Sequence, residues 1–570
     1  MDRRGAALNG SPRLRTRAPR LGTAASLTLA AVPAAFLAVF FVVPVASIVT
    51  MGLRPGGRWD LGVVAEVLGD PALRGVVWFT LWQAVVSTVL TLVVALPVAY
   101  ALARFEFRGR RLLQAAIMVP FVLPTVVVAT AFLALLGPGG PISGPVGHLF
   151  GSAPMDLRAS LAAIFIAHVF FNVSVVVRVV GGLLEQLDPH LEDAAASLGA
   201  GRVRSAVEVL WPLARSAVMS AAGIVFLFTF TSFGVVLLLG GPRYSTLEVE
   251  IHRQTALLLN LPVAAVLALI QLAIVATLLA FGARRQQGAA VQQPLTAPSG
   301  AARPPEALSH RAFLGASLTV LAVLLGSPLA MLVTRSLRTP DGWSARWYDM
   351  LFDPDASVLG VAGIEAVRNS LLFAVIATVV AITVGGLASV VVARGRGAVS
   401  RAFDVALLLP LGVSAVTVGF GFLISLDSPP LDLRDSRLLV PMAQALVAVP
   451  FVVRVILPVL LSIDQRLREA AAALGASPAR VWREIDLPLV GRALGVAAGF
   501  AFAISLGEFG ATIFLARADM PTVPVAIVRL LGRPGAANIG QAMALSTILM
   551  VLTTASLLAI SRLRPRSVGS

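Results

Sequence analysis

The chain has 570 residues, of which 57% are hydrophobic and 13% are charged, and its net charge is +16. Soluble domains carry roughly 25% charged residues, so this composition excludes an ordinary soluble protein. The long apolar runs indicate instead an all-α polytopic membrane protein. The sequence contains neither cysteine nor lysine, which excludes disulfides, thiolate metal sites and a phosphate-binding Walker A loop.

The apolar runs predict about twelve transmembrane helices in two sets of six. The first run is too long for the roughly 7–15-residue core of a signal peptide, so we count it as a span. Each run exceeds the roughly 20 residues that a helix needs to cross the hydrocarbon. The expected spans cover approximately 26–53, 75–103, 112–137, 159–181, 213–240, 256–282, 312–333, 367–393, 403–426, 438–461, 490–515 and 541–561.

Polar segments flank and separate the two sets of spans. The segment 283–311 is rich in Gln, Pro, Ser and Gly, a composition that cannot form a core and is typical of a linker. We therefore expect a basic tail at 1–22, a first membrane domain at 23–282, a linker at 283–311, a second membrane domain at 312–562 and a tail at 563–570.

The positive charge of the chain follows its predicted topology. Arginines cluster in short segments that fall on one side of the expected bilayer, together with both termini, so that side should be the cytoplasm. The charge therefore marks orientation and does not predict nucleic-acid binding. The clusters are Arg104, Arg108, Arg110 and Arg111; Arg394, Arg396 and Arg401; Arg284 and Arg285; and Arg562, Arg564 and Arg566.

Two polar stretches in the membrane domains are copies of each other. The first loop, 187–213, and the second loop, 463–489, align without a gap at an offset of 276 residues. A second alignment, at an offset of 290, pairs Pro120 with Pro410 nearer the start of each half. This internal repeat predicts a protein of two homologous six-helix halves. The pairs at offset 276 include Arg178 and Arg454, Asp188 and Asp464, Gly199 and Gly475, Pro212 and Pro488, Phe233 and Phe509, and Thr246 and Thr522.

The second loop has the pattern of a helix, a turn and a second helix. Residues 465–473 are strong helix formers, and Gly475 permits a turn that a Cβ would oppose. Ser477 and Pro478 suit the start of another short helix, which Pro488 should end before the next span begins. We expect this unit on the cytoplasmic surface, where its alanines leave room for another protein.

These residues resemble the EAA loop of importer-type ATP-binding-cassette permeases. The family pattern is Glu-Ala-Ala, three residues, Gly, nine residues and then Ile-x-Leu-Pro. The second loop matches it at every position, and the first departs from it at its acidic residue and near its end. The matching residues are Glu469, Ala470, Ala471, Gly475, Ile485, Leu487 and Pro488, and the first loop has Asp193, Ala194, Ala195, Gly199, Val209, Trp211 and Pro212.

The resemblance implies the type I importer (MetI-like) permease fold, duplicated and fused in one chain of a prokaryotic cell membrane. Each loop would then be a coupling helix seated in one of two cytoplasmic ATPase subunits. An extracytoplasmic binding protein would deliver the solute. The chain itself would catalyse no reaction and hold no cofactor, since ATP and Mg would be bound by the partner ATPase. An unpartnered amphipathic helix on the lipid surface is the alternative interpretation of each loop.

A narrower resemblance follows the loops. The segments 505–512 and 229–237 look like fused permeases for thiamine and for ferric ion, and 239–249 looks more like the thiamine type. The segment 505–512 is also similar to sulfate and molybdate permeases. Thiamine or ferric iron is therefore the expected solute, and another small solute, such as sulfate or molybdate, is the alternative.

Polar side chains inside the expected spans are hypotheses for the solute path. Glu508, its repeat partner Ser232, and the pair His168 and Asn172 can line the path or can form hydrogen bonds between helices. The five histidines show no ligand cluster, so we expect no metal site. At the span ends, Arg178 and Arg454 either reach lipid headgroups or pair with a loop carboxylate.

Two other classes of protein fit parts of the sequence. A secondary transporter also has two six-span halves, but it needs no EAA loop. A membrane scaffold or enzyme would not explain a duplicated loop. Uptake driven by an ion gradient without ATP would favour the secondary transporter.

Overall fold

The computed structural model describes residues 23–54, 57–137, 140–142, 156–188, 190–288, 302–355, 357–395, 400, 403–404, 406–407, 409–427 and 432–563. The expected tail at 1–22, residues 289–301 of the linker and all but the first residue of the tail at 563–570 lie outside these ranges. The domain boundaries given above remain predictions.

The first half contains α1 (Thr28–Leu53), α2 (Gly62–Gly69), α3 (Pro71–Arg104), α4 (Arg110–Val122), α5 (Thr125–Leu136), α6 (Leu161–Leu184), α7 (His190–Ser197), α8 (Val203–Phe230), α9 (Gly234–Leu239), α10 (Leu247–Ala256) and α11 (Leu261–Phe281). The second half contains α12 (Leu308–Leu337), the antiparallel pair β1 (Arg338–Thr339) and β2 (Gly342–Trp343), α13 (Arg346–Asp349), α14 (Gly363–Arg394), α15 (Ala415–Ser425), α16 (Leu439–Ser462), α17 (Gln465–Ala473), α18 (Ala479–Gly507), α19 (Thr512–Leu515), α20 (Val523–Leu531) and α21 (Ala536–Ile560).

Within the described ranges, ten of these helices are long and apolar enough to cross a membrane. They are α1, α3, α6, α8, α11, α12, α14, α16, α18 and α21. The expected all-α, multi-pass membrane fold is therefore confirmed.

Two of the twelve expected spans are not continuous. At 112–137, α4 and α5 meet at a bend of 101°, where Leu123 is extended and Pro124 precedes α5. Proline has no N–H for the helical ladder and disfavours a helical residue before it, which explains the break. At 403–426, helix α15 has 11 residues and is roughly 16 Å long. It follows a 3-10 turn at Leu409–Gly412, and the described residues 403–404 and 406–407 before that turn are also helical. Several residues just before that turn lie outside the described ranges.

The first long helix of each half packs against the opposite half. Helix α1 contacts α14 and α15, and α12 contacts α3 and α5. The largest buried apolar cluster accordingly draws on both halves, with Val127 and Phe233 from the first and Phe509 and Val523 from the second. The halves therefore share one core and position each other.

The repeat inferred from the sequence is also visible in equivalent hydrogen bonds. The Thr80 hydroxyl accepts the N–H of Leu247 at 2.9 Å, and the Ser370 hydroxyl accepts the N–H of Val523 at 2.8 Å. Both bonds join the second long helix of a half to the first turn of a short helix, α10 or α20. Because these donors lack a partner within their own helix, each hydroxyl satisfies a buried group.

Candidate functional site

Both repeat loops lie at the same face of the bundle. The first loop contacts the end of α3, beside which α12 begins. Helix α12 crosses to the far face, and α14 crosses back to end at Arg394, beside the second loop. We call this end of the molecule the loop face.

Each loop turns at a glycine in the left-handed region. Gly199 follows α7 with φ +86°, and Gly475 follows α17 with φ +84°. An added Cβ at either glycine would meet no neighbouring atom within 4 Å. The backbone conformation, and not crowding, therefore requires glycine at both turns.

Each loop exposes a leucine side chain at the same position. Leu198 and Leu474, one residue before the turn glycines and 276 residues apart, are each 89% exposed. The motif alanines Ala194 and Ala470 are also exposed. Because the same large apolar side chain is exposed at the equivalent position of both loops, these two leucines are candidate contacts for another protein.

The second helix of each loop does not end at the proline, and the expectation that Pro488 ends this helix in the second loop is therefore wrong. In each loop it is the first part of α8 or α18, which runs on without interruption through a π-helical turn at Ala206–Leu210 or Trp482–Asp486. Pro212 and Pro488 lie within two residues of the end of these turns. Because a π turn shifts the ladder by one residue, the missing proline N–H is accommodated without a break. Each loop is thus joined rigidly to its span.

An ion-pair cluster fixes the second loop to α14. The carboxylate of Asp486 is fully buried and binds Arg468 at 2.7 Å and Arg394. The Arg394 guanidinium also lies 5.3 Å from the ring centroid of Trp482, and Arg468 donates to the Leu460 carbonyl at 3.4 Å. Two arginines on one buried carboxylate hold the loop against the membrane domain.

A related cluster fixes the first loop to α3. The Arg104 guanidinium binds Glu192 at 2.8 Å and donates to the Leu187 carbonyl at 3.0 Å. The Tyr100 hydroxyl donates to the other Glu192 oxygen at 2.7 Å. The neighbouring motif residue, Asp193, is exposed and pairs with Arg303 of the linker at 2.8 Å.

The sequence did not identify these anchors. It offered Arg178 and Arg454 as partners for a loop carboxylate, but Arg178 contacts the Met118 sulfur at 3.8 Å and Arg454 is exposed. The alignment at offset 290 pairs Arg104 with Arg394 and could have pointed to them.

The halves meet through a pair of repeat-equivalent phenylalanines. The rings of Phe233 and Phe509 stack with centroids 5.2 Å apart and planes 19° apart, and both are buried. The next residues are Gly234 and Gly510, where an added Cβ would lie 2.5 Å from the Thr125 hydroxyl and 3.0 Å from the Ala415 Cβ. Glycine at these two positions therefore permits the close approach that brings the rings together.

A cavity of about 880 Å³ lies between the halves at the far face. His252 lines it and packs against Phe233 with ring centroids 5.6 Å apart, so the stacked pair lies behind His252, one side chain away from the cavity. The lining is mostly apolar and carries several charged groups, including Asp156, Arg158, Arg335 and Arg338. Its volume suits a small-molecule ligand.

Three of the four candidate path residues form one buried network. The two His168 ring nitrogens lie 2.8 Å from the hydroxyls of Ser87 and Ser232, and the Asn172 amide donates to the His168 carbonyl at 2.8 Å. The network joins α3 and α6 to the segment that carries Phe233. These contacts favour hydrogen bonding between helices over direct lining of the path.

The fourth candidate, Glu508, lies where α18 ends. Its carboxylate accepts the N–H groups of Ala511 at 2.7 Å and Thr512 at 3.0 Å, and it also accepts the Thr512 hydroxyl. It therefore caps α19 and shapes the turn that holds Phe509. Among the residues that the structure describes, no group of three or more His, Asp or Glu residues could hold a metal ion.

Comparison with known proteins supports the resemblance of the loops. Residues 93–291 match the family described as the binding-protein-dependent transport system inner membrane component. The chain is 29% identical to a thiamine transport system permease protein of Brucella abortus, over 90% of this chain and 92% of the relative. It is 27% identical to the Escherichia coli protein of that name, over 90% of both chains. A probable ABC transporter permease protein of Sinorhizobium fredii is 26% identical, over 86% of this chain and 88% of the relative. These matches confirm the resemblance to fused, two-half importer permeases.

Proposed function

We propose that this chain, a fused two-half permease of the binding-protein-dependent ATP-binding-cassette importers, carries thiamine through the space between its halves. Supporting this solute, the relatives named for thiamine transport align along nearly the whole chain. The observation that carries the mechanism is the pair of equivalent loops at one face, each with an exposed leucine and a buried anchor.

The proposed cycle uses motion of the two halves and no covalent chemistry on this chain. Two copies of a cytoplasmic ATPase, which bind ATP and Mg, contact the loops at the exposed side chains of Leu198 and Leu474. When the ATPase subunits close, the anchors at Arg104 and Arg394 transmit the loop displacement to α3 and α14. The halves then rock, and the stack of Phe233 and Phe509 separates to open the path.

The far-face cavity is the proposed entry chamber for solute. An extracytoplasmic binding protein would release thiamine above it, and the stacked rings would keep the chamber closed toward the loop face. In this orientation the loop face and both termini are cytoplasmic, and the protein resides in the inner or plasma membrane of a prokaryote.

Reconstitution tests this proposal. Proteoliposomes that contain the permease, its cognate ATPase and its binding protein should accumulate labelled thiamine only when ATP is present on the loop face. Unlabelled thiamine should compete, whereas ferric citrate and sulfate should not. Uptake driven by an ion gradient without ATP would establish the secondary-transporter alternative, and uptake of iron or sulfate instead of thiamine would replace the solute.

A further inference from the structure

The end of the linker is joined to the first half by backbone hydrogen bonds. The Arg303 N–H donates to the Arg104 carbonyl at 2.9 Å, and the Glu106 N–H donates to the Arg303 carbonyl at 3.0 Å. These bonds form a parallel bridge between Phe105 and Arg303. They place the linker beside the end of α3, next to the residue that anchors the first loop.

An aromatic cluster holds the chain on the other side of this bridge. The ring of Phe105 lies 5.4 Å from His310 and 6.5 Å from Phe313, measured between centroids. Leu314 is buried in the same cluster. Residues 302–306 are therefore fixed at both ends, by the bridge and by the start of α12.

From this position, the Arg303 side chain reaches the first loop. Its guanidinium lies 2.8 Å from Asp193, which begins the Asp-Ala-Ala motif. The hydrogen bond from Arg303 lowers the pKa of the Asp193 carboxyl, and nearby His190 lowers it further. The negative charge of the motif is thus balanced by an arginine of the same chain.

The second loop has a different arrangement. Glu469, at the position equivalent to Asp193, accepts a hydrogen bond at 2.7 Å from the neutral amide of Gln465. The adjacent Arg468 is directed to the buried Asp486. Glu469 therefore presents its charge at the loop surface with a neutral partner.

We propose that residues 302–306 form a strap that fixes the first loop through Arg303 and Asp193, so that the two loops offer unequal acidic surfaces to a docking protein. The first loop is held by its own chain. The second loop keeps Glu469 for a basic group of the partner. The part of this inference that concerns docking rests on the proposed ATPase partner, whereas the strap does not.

Hydrogen–deuterium exchange on the purified full-length permease tests the strap without any partner. Arg303→Glu should raise amide exchange across 190–197 by about twofold to fivefold, as expected for loss of one exposed ion pair, and leave 465–473 unchanged. The charge-swapped variant Asp193→Arg/Arg303→Glu should restore protection. Arg108→Glu, at an exposed arginine of the adjoining segment, is the matched control and should change neither loop. Unchanged exchange in Arg303→Glu, or an equal rise in both loops, would overturn the strap.

Retention of the cognate ATPase on affinity-purified permease tests the unequal surfaces. Glu469→Gln should reduce retention at least several-fold more than Asp193→Asn, since the Asp193 charge is already neutralised. Equal losses in the two variants would overturn the asymmetry. If the unmodified permease retained no ATPase, the proposed function would fail while the exchange result still decided the strap.

Discussion

Arg104 and Arg394 occupy equivalent positions at the ends of α3 and α14, yet they bind carboxylates from non-equivalent positions of the two loops. Arg104 binds Glu192, whose counterpart in the second loop is Arg468. Arg394 binds Asp486, whose counterpart in the first loop is Leu210. The two halves have diverged in the residues that bear the charge but have kept an arginine anchor between loop and span. Each loop is therefore bound by an ion pair to the second long helix of its half.

We expect Asp486→Asn to destabilise the protein strongly. The substitution leaves Arg394 and Arg468 partly buried without their counter-charge, and removing one partner of a buried ion pair costs about 3–5 kcal/mol. Thermal unfolding of the detergent-solubilised permease should show a clear fall in midpoint. Glu484→Gln, on the same π-helical turn but exposed, should have little effect. Equal midpoints for the two variants would contradict the anchoring role of Asp486.

The sequence predicted the features that occur once in each half at a constant offset. Constant offsets placed both loops, the glycine turns and the paired phenylalanines in equivalent positions, and apolar runs placed ten spans. The apolar runs alone did not show the breaks at Pro124 and before α15, because an apolar run looks the same whether the helix is straight or bent. The Asp486 anchor was hidden because its repeat partner is Leu210.

The contact between the linker and the first loop could not be predicted from the sequence either. Composition predicted that 283–311 is a linker without a core of its own, but it could not show that Arg303 pairs with Asp193. That contact depends on α12 crossing onto the opposite half, which is a property of helix packing.

Gly475→Val should abolish stable docking of the ATPase while leaving the membrane domain folded. Valine opposes the left-handed conformation at φ +84°, a penalty of about 1–2 kcal/mol that distorts the turn and displaces Leu474. Co-purification of the ATPase measures the effect. Gly491→Val is a suitable control, because that glycine is helical and an added Cβ meets open space. Retention at the unmodified level in Gly475→Val would argue against docking through this turn.

The double variant Phe233→Ala/Phe509→Ala should leak solute without ATP. Removing both rings opens space between the halves where these rings stack 5.2 Å apart, so the far-face cavity should connect to the loop face. Passive efflux of labelled thiamine from loaded proteoliposomes measures the leak. Phe226→Ala removes one ring of a stacked pair that lies within the first half, and it should not increase efflux. A double variant as tight as the unmodified protein would place the seal elsewhere.

Glu508→Ala should lower stability more than it alters recognition of the solute. The carboxylate satisfies two N–H groups and a hydroxyl at the start of α19, and leaving such buried donors unsatisfied costs about 1–3 kcal/mol each. We therefore expect a lower unfolding midpoint and a reduced maximal rate of ATP-driven uptake, with the KM for thiamine nearly unchanged. Glu365→Gln, at a half-exposed acidic residue, should leave both properties unaltered. A raised KM with an unchanged midpoint would instead indicate that Glu508 lines the path and contacts the solute. A group that binds the solute contributes to affinity without having to support the fold.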